Sequence, residues 1–129
     1  ADNPTSVEYA LKFGAKRIGH GVRSVENADT LKKLSYGGIT LELCPTSNLN
    51  TNIYENINEY PIMKLINNGV KVTINTDNMM VSGTDIKKEL TMLADTFGFD
   101  EDDIIDFERN AIMAAFTSAS HKEKLLRLL

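Results

Sequence analysis

The apolar positions of the chain change period repeatedly. Val70, Val72 and Ile74 alternate with Lys71, Thr73 and Asn75, the two-residue repeat of a strand, and the chain then stops at Thr76-Asp77-Asn78. Two shorter strands are expected from Arg17 to Gly19, running into His20 and Gly21, and from Ile39 to Leu43. Elsewhere the repeat lengthens to that of a helix. Val7, Ala10 and Leu11 mark a helix from Pro4 to Phe13, closed by Gly14. Ala28, Leu31 and Leu34 mark another from Glu26 to Tyr36, closed by Gly37 and Gly38. Ile62, Leu65 and Ile66 mark a third, opened by Pro61 and stopped at Gly69. The asparagine- and threonine-rich stretch from Cys44 to Tyr60 reads as a polar loop. Beyond a further loop containing Gly83, helices are expected from Asp85 to Phe97, Glu101 to Phe116 and His121 to Leu129.

An α, β, α, β, α, β order followed by helices predicts parallel strands joined by crossovers, with helices covering the sheet. Three strands are too few for a comfortable doubly wound domain and far too few for a closed eight-stranded barrel. The expected unit is therefore one incomplete α/β domain over residues 1–129. In such folds the chemistry gathers where strands end and loops emerge. His20, the Cys44-Pro45-Thr46-Ser47-Asn48 run and Asp77 all fall at such ends.

Composition narrows the partners. The 129 residues are 42% hydrophobic and 25% charged, an ordinary globular balance for at most one domain. A net charge of -4 argues against nucleic acid or an anionic membrane as the main partner, because both reward a basic face. The single cysteine, Cys44, forms no internal disulfide, and no segment resembles a membrane span or signal peptide. A cytoplasmic compartment is expected. The chain opens on Ala1 and runs through Asp2, Asn3 and Pro4 directly into a helix start. This suggests a piece of something longer, with removal of an initiator Met as the plain alternative.

Taken singly, the candidate residues carry two readings each. The glycines around His20 suit a tight turn with a satisfied histidine as readily as a catalytic one. Asp77 could cap a helix or present a carboxylate. Cys44 reads as a small buried hydrophobe, for no motif supplies it with a base. His121 falls in the exposed first turn of the last helix, and Asp100, Glu101, Asp102 and Asp103 suit a helix N-terminus, where the dipole favours negative charge. Met79 and Met80 could line a pocket mouth or simply pack.

In combination the motifs say more. Arg17-Ile18-Gly19-His20-Gly21, Leu43-Cys44-Pro45-Thr46-Ser47-Asn48 and Asn75-Thr76-Asp77, at these intervals, make the whole chain resemble the carboxyl-terminal part of the adenosine deaminase family, which includes adenine deaminases. The resemblance implies the last three βα units, plus terminal helices, of a metal-dependent hydrolase (β/α)8 TIM barrel with one catalytic zinc. It implies that His20 is catalytic, orienting or deprotonating the water that attacks the purine C6, and that Asp77 is a zinc ligand. The implied reaction is hydrolytic deamination of adenosine to inosine and ammonia, with a small purine nucleoside as partner. A single cysteine excludes the His/Cys/Cys zinc deaminases, which need a Cys-x-x-Cys pair.

Two departures stand out. Where the family often has a second aspartate, this chain has Asn78, whose amide donates a hydrogen bond at any pH and would serve the acceptor N7 of the purine. The family's His-x-His pair and His-Ala-Gly-Glu segment are absent altogether. With His20 and His121 its two histidines, the chain is expected to be inactive alone. Adenine or another purine remains the alternative substrate. A non-catalytic fragment that self-associates through unpaired barrel edges is the alternative of another class.

Overall fold

The computed structural model describes residues 3–129, so Ala1 and Asp2 of the expected helix start lie outside the described part. The Asn3 side chain accepts the Ser6 N–H at 3.2 Å, and Pro4 takes the first position, where its missing donor costs nothing. Helix α1 then runs Pro4–Lys12 and leads to strand β1, Arg17–Gly19. A 3-10 turn over Val22–Glu26 precedes α2, Ala28–Tyr36, which begins later than Glu26 because Asn27 caps it from outside, accepting from Asp29 and Thr30. Strand β2 is Thr40–Leu43 and β3 is Lys71–Ile74, with α4, Ile62–Asn67, between them.

The expected loop from Cys44 to Tyr60 is corrected by the structure. It holds a helix, α3, Pro45–Asn50, and a 3-10 turn at Ile57–Glu59. Thr, Ser and Asn are weak helix formers, so α3 draws on a remote partner: the Glu89 carboxylate accepts the Thr46 N–H at 3.1 Å, satisfying a first-turn donor from outside the helix. The loop expected around Gly83 likewise contains a short helix, α5, Met79–Ser82, capped by Asn78 Oδ1 on the Val81 N–H. The terminal helices are α6, Ile86–Phe97, α7, Glu101–Ala114, and α8, Ala119–Leu126. Asp100 and Asp103 form a reciprocal capping box at the start of α7, the role expected of that acidic group.

The three strands lie in chain order, all parallel. Ile18, Leu41 and Val72 share one row, and Leu43 and Ile74 the next row on the same face. That face joins Leu31 and Leu34 of α2, Ile62 and Leu65 of α4, Leu93 of α6 and Phe107 of α7 in one buried cluster. Gly19, Glu42 and Thr73 line up on the opposite face. There Arg17 Nε stands 3.1 Å from Glu42 Oε1, and the guanidinium lies 4.1 Å above the Phe116 ring. The pair is half-buried, and with Thr40 and Thr73 it makes the second face of the sheet polar. Asn110 of α7 also donates to the Val72 carbonyl at 3.1 Å, closing α7 onto β3. No helix of the described residues is long and apolar enough to cross a membrane.

Candidate active site

The candidate side chains His20 and Asp77 follow the ends of β1 and β3. The His20 N–H donates to the Glu42 carbonyl at 2.8 Å, extending β1 pairing by one residue, and the Asn75 N–H does the same to Leu43 from β3. The backbone then breaks sharply. His20 has φ 58° and Asp77 φ 56°, left-handed values that cost a residue with a Cβ about 1–2 kcal/mol. Among the described residues Asn52 is the one other non-glycine residue with positive φ. Strain of this kind persists where the surroundings over-determine it, and functional sites are its usual location.

Those turns bring β1 and β3, separated by β2, to a common point. His20 Nε2 lies 3.7 Å from Asp77 Oδ2, with the side chains 29% and 44% exposed. Behind this accessible pair sits a buried polar layer supplied by α3 and its neighbours. Ser47 Oγ donates to Asp77 Oδ2 at 2.7 Å, and Asn48 Nδ2 meets His20 Nδ1 at 3.2 Å. Tyr60 donates its hydroxyl to Asn48 Oδ1 at 3.0 Å. Asn48 and Tyr60 are only 1% and 2% exposed, so their polar atoms depend on one another rather than on water. The arrangement holds an imidazole and a carboxylate at the sheet's carboxyl rim and leaves both open on one side.

Three residues of this layer, Ser47, Asn48 and Tyr60, were not assigned roles by sequence reasoning, and neither was Glu89. Ser47 and Asn48 belonged to a motif quoted as a whole. Glu89 carried its own signal: it lies one helical turn before Leu93, and both are fully buried. An acidic residue on the apolar stripe of an amphipathic helix asks for a partner, and Thr46 is that partner.

Cys44 behaves as the sequence suggested. It is buried, and burial first, then the Asp77 and Glu89 carboxylates, push its thiol up to about 12, so it stays protonated at neutral pH. His121 is exposed in the first turn of α8 and takes no part in the hydrogen bonds of the cluster. Met79 and Met80 are both exposed beside Asn78. The glycines flanking His20 differ. A Cβ at Gly19 would meet open space, whereas at Gly21 it would lie 2.9 Å from Leu41 Cδ2, with φ at +73°. Gly21→Ala is therefore expected to cost about 3 kcal/mol from left-handed strain and overlap together, measured as a lower urea midpoint at unchanged slope. Gly19→Ala should not suffer the overlap.

A catalytic zinc takes three protein ligands and a water. Among the described residues no three His, Cys, Asp or Glu side chains gather to hold a metal. Asp77 fits as one oxygen ligand, since Ser47 fixes one carboxylate oxygen in place and the group faces solvent.

Parallel strands in chain order, with helices on one face and polar groups on the other, are the arrangement of three βα units of a (β/α)8 barrel. Solved structures share this fold. An adenine deaminase from Arthrobacter aurescens superimposes with a TM-score of 0.93 at 24% identity, over 97% of this chain and 38% of its own. An amidohydrolase from Burkholderia ambifaria with bound Zn does so with a TM-score of 0.84 at 23% identity, over 95% and 35%. The adenosine deaminase family model matches residues 1–129, and the chain belongs to that family. Adenosine deaminase from Haemophilus ducreyi is 41% identical over 98% of this chain, and adenine deaminase from Rhizobium rhizogenes 41% identical over 88%. The chain spans 37% and 35% of the lengths of those relatives.

Proposed function

We propose that residues 1–129 are a single partial domain, the carboxyl-terminal section of a zinc-dependent barrel that hydrolyses adenosine to inosine and ammonia. The supporting observation is the His20–Asp77 pair, 3.7 Å apart at the ends of two strands that β2 separates. A bound zinc would lower the pKa of a water to about 7 and so supply a nucleophile at neutral pH. Asp77 is the ligand this chain contributes, aimed by Ser47. His20 acts on the attacking water, and the purine loses its amino group as ammonia after attack at C6. The remaining zinc ligands and the acid that protonates the ring come from outside this chain, which is inactive alone. The proposed setting is the cytoplasm.

Asn78 contacts the substrate. Its Oδ1 is engaged in capping α5, so its amide nitrogen is the atom left to donate to purine N7. Asn78→Asp keeps the cap but donates only when protonated, so activity should survive and become more pH-sensitive. Asn78→Ala should raise KM; an unchanged KM would remove the contact from the reading. Adenine is the second substrate reading, because the adenine deaminase relative matches at the same 41% identity as the adenosine deaminase.

The test is a graft. Residues 1–129 replace the matching third of the Haemophilus protein, and ammonia release is followed from adenosine and from adenine. Turnover of adenosine is expected from the graft and none from the chain alone. A folded graft without turnover on either substrate would overturn the proposal. Turnover by the chain alone would show that zinc is held without outside ligands. We also propose that the isolated chain self-associates through its unpaired strand flanks, which a strictly monomeric sedimentation profile at high concentration would contradict.

A further inference from the structure

The buried layer behind His20 does more than fill space. Tyr60 is the starting point. Burial pushes its phenol well above the ordinary value, so its O–H keeps its proton and must be donated, and the acceptor it meets is Asn48 Oδ1 at 3.0 Å. That contact orients the amide. With its oxygen turned to Tyr60, Asn48 presents Nδ2, a pure donor, to His20 Nδ1 at 3.2 Å. A neutral imidazole carries one proton on one of its two nitrogens, and a nitrogen that accepts from an amide N–H cannot also hold it. The reversed amide would require Tyr60 to accept from Asn48 Nδ2, leaving a phenol O–H in a site 2% exposed with no acceptor.

We infer that Asn48 and Tyr60 are positioning residues that fix the tautomer of His20, placing its proton on Nε2, the nitrogen that faces Asp77 and the open rim. His20 then meets the attacking water as a hydrogen-bond donor. It orients the water and the charge that develops on it, and in this tautomer Nε2 has no lone pair free to take the water's proton. Of the two roles that resemblance allowed for His20, the geometry selects orientation. The inference rests on the reading of His20 as the catalytic histidine, but not on turnover for its test.

The chain suits a direct measurement, because it contains two histidines. With 15N-labelled histidine, long-range proton–nitrogen spectra report which ring nitrogen carries the proton, and His121→Gln assigns the signals. Exposed His121 serves as the reference for an unconstrained ring. Spectra are recorded well above about pH 6.5, the ordinary value for free histidine. His20 is expected to favour Nε2–H over Nδ1–H more strongly than His121 does, by roughly tenfold. Asn48→Asp, nearly isosteric, replaces the donor with an acceptor while still receiving the Tyr60 hydroxyl, and should move the His20 proton to Nδ1. Tyr60→Phe frees the amide to reverse and should bring the His20 ratio toward that of His121. The inference is overturned if wild-type His20 carries its proton on Nδ1, if its ratio equals that of His121, or if Asn48→Asp leaves it unchanged. Should Asn48→Asp fail to fold, Tyr60→Phe decides: an unchanged ratio overturns the inference. A correct tautomer in an inactive graft would fail the proposed function alone, and a wrong tautomer in an active graft would fail this inference alone.

Discussion

Asp77→Ala in the grafted enzyme is expected to abolish ammonia release and to strip the protein of zinc. The carboxylate is held in a left-handed turn at φ 56° and braced by Ser47 at 2.7 Å, an investment of strain and hydrogen bonding that a surface aspartate does not need. Ser47→Ala leaves the proposed ligand in place but unaimed, and residues in that supporting position typically carry about 10–100-fold in metal affinity. Asp77→Ala removes the ligand itself and should exceed that loss. His20→Ala gives the contrast, keeping the metal while lowering kcat by about 10²–10³-fold, the usual range for removing one hydrogen-bond donor that steadies developing charge. Metal content and kcat measured on the same three preparations separate these roles. Full zinc occupancy in Asp77→Ala would remove Asp77 from the metal centre.

A large effect on stability, as great as that of Gly21→Ala, is expected at Glu89. Its side chain is 0% exposed, one oxygen accepts the Thr46 N–H, and the other has no partner among the described residues. Glu89→Ala strands a buried donor in the first turn of α3 and opens a cavity, together about 3 kcal/mol. That is a large share of the ~5–15 kcal/mol that holds a typical domain together. The consequence extends to the rim, because α3 carries both Ser47 and Asn48. Glu89→Gln is nearly isosteric, keeps a carbonyl acceptor for Thr46 and should lie within about 1 kcal/mol of the parent. Urea midpoints of the two variants decide the matter. If Gln is as damaging as Ala, the acceptor on Thr46 is not what Glu89 provides.

The strands and long helices were legible because each imposes its own period on the apolar residues, and the cap at Asp100 acts within a few residues of its own helix. The missed elements share a cause. Helix α3 is built from residues with weak intrinsic preference, and the group that completes its first turn is Glu89, 43 positions away. Helix α5 spans four residues, too few for any period to show. His20 and Asp77 stood out at strand ends and took their roles from the family resemblance, whereas Asn48, Tyr60 and Glu89 act through partners that no local pattern announces.

Local patterning by itself determined the order of the strands and long helices, the parallel βα class, the carboxyl-rim location of His20 and Asp77, and the inertness of Cys44. Each of these follows from short-range sterics, periodicity and the pairing of polar groups within reach along the chain. Tertiary structure alone decided that the His20 and Asp77 side chains meet across an intervening strand, that a phenol and an amide orient the imidazole, and that a buried carboxyl group anchors α3. Hydrogen bonds are directional and short-ranged, so their partners are chosen only once packing has brought distant segments together.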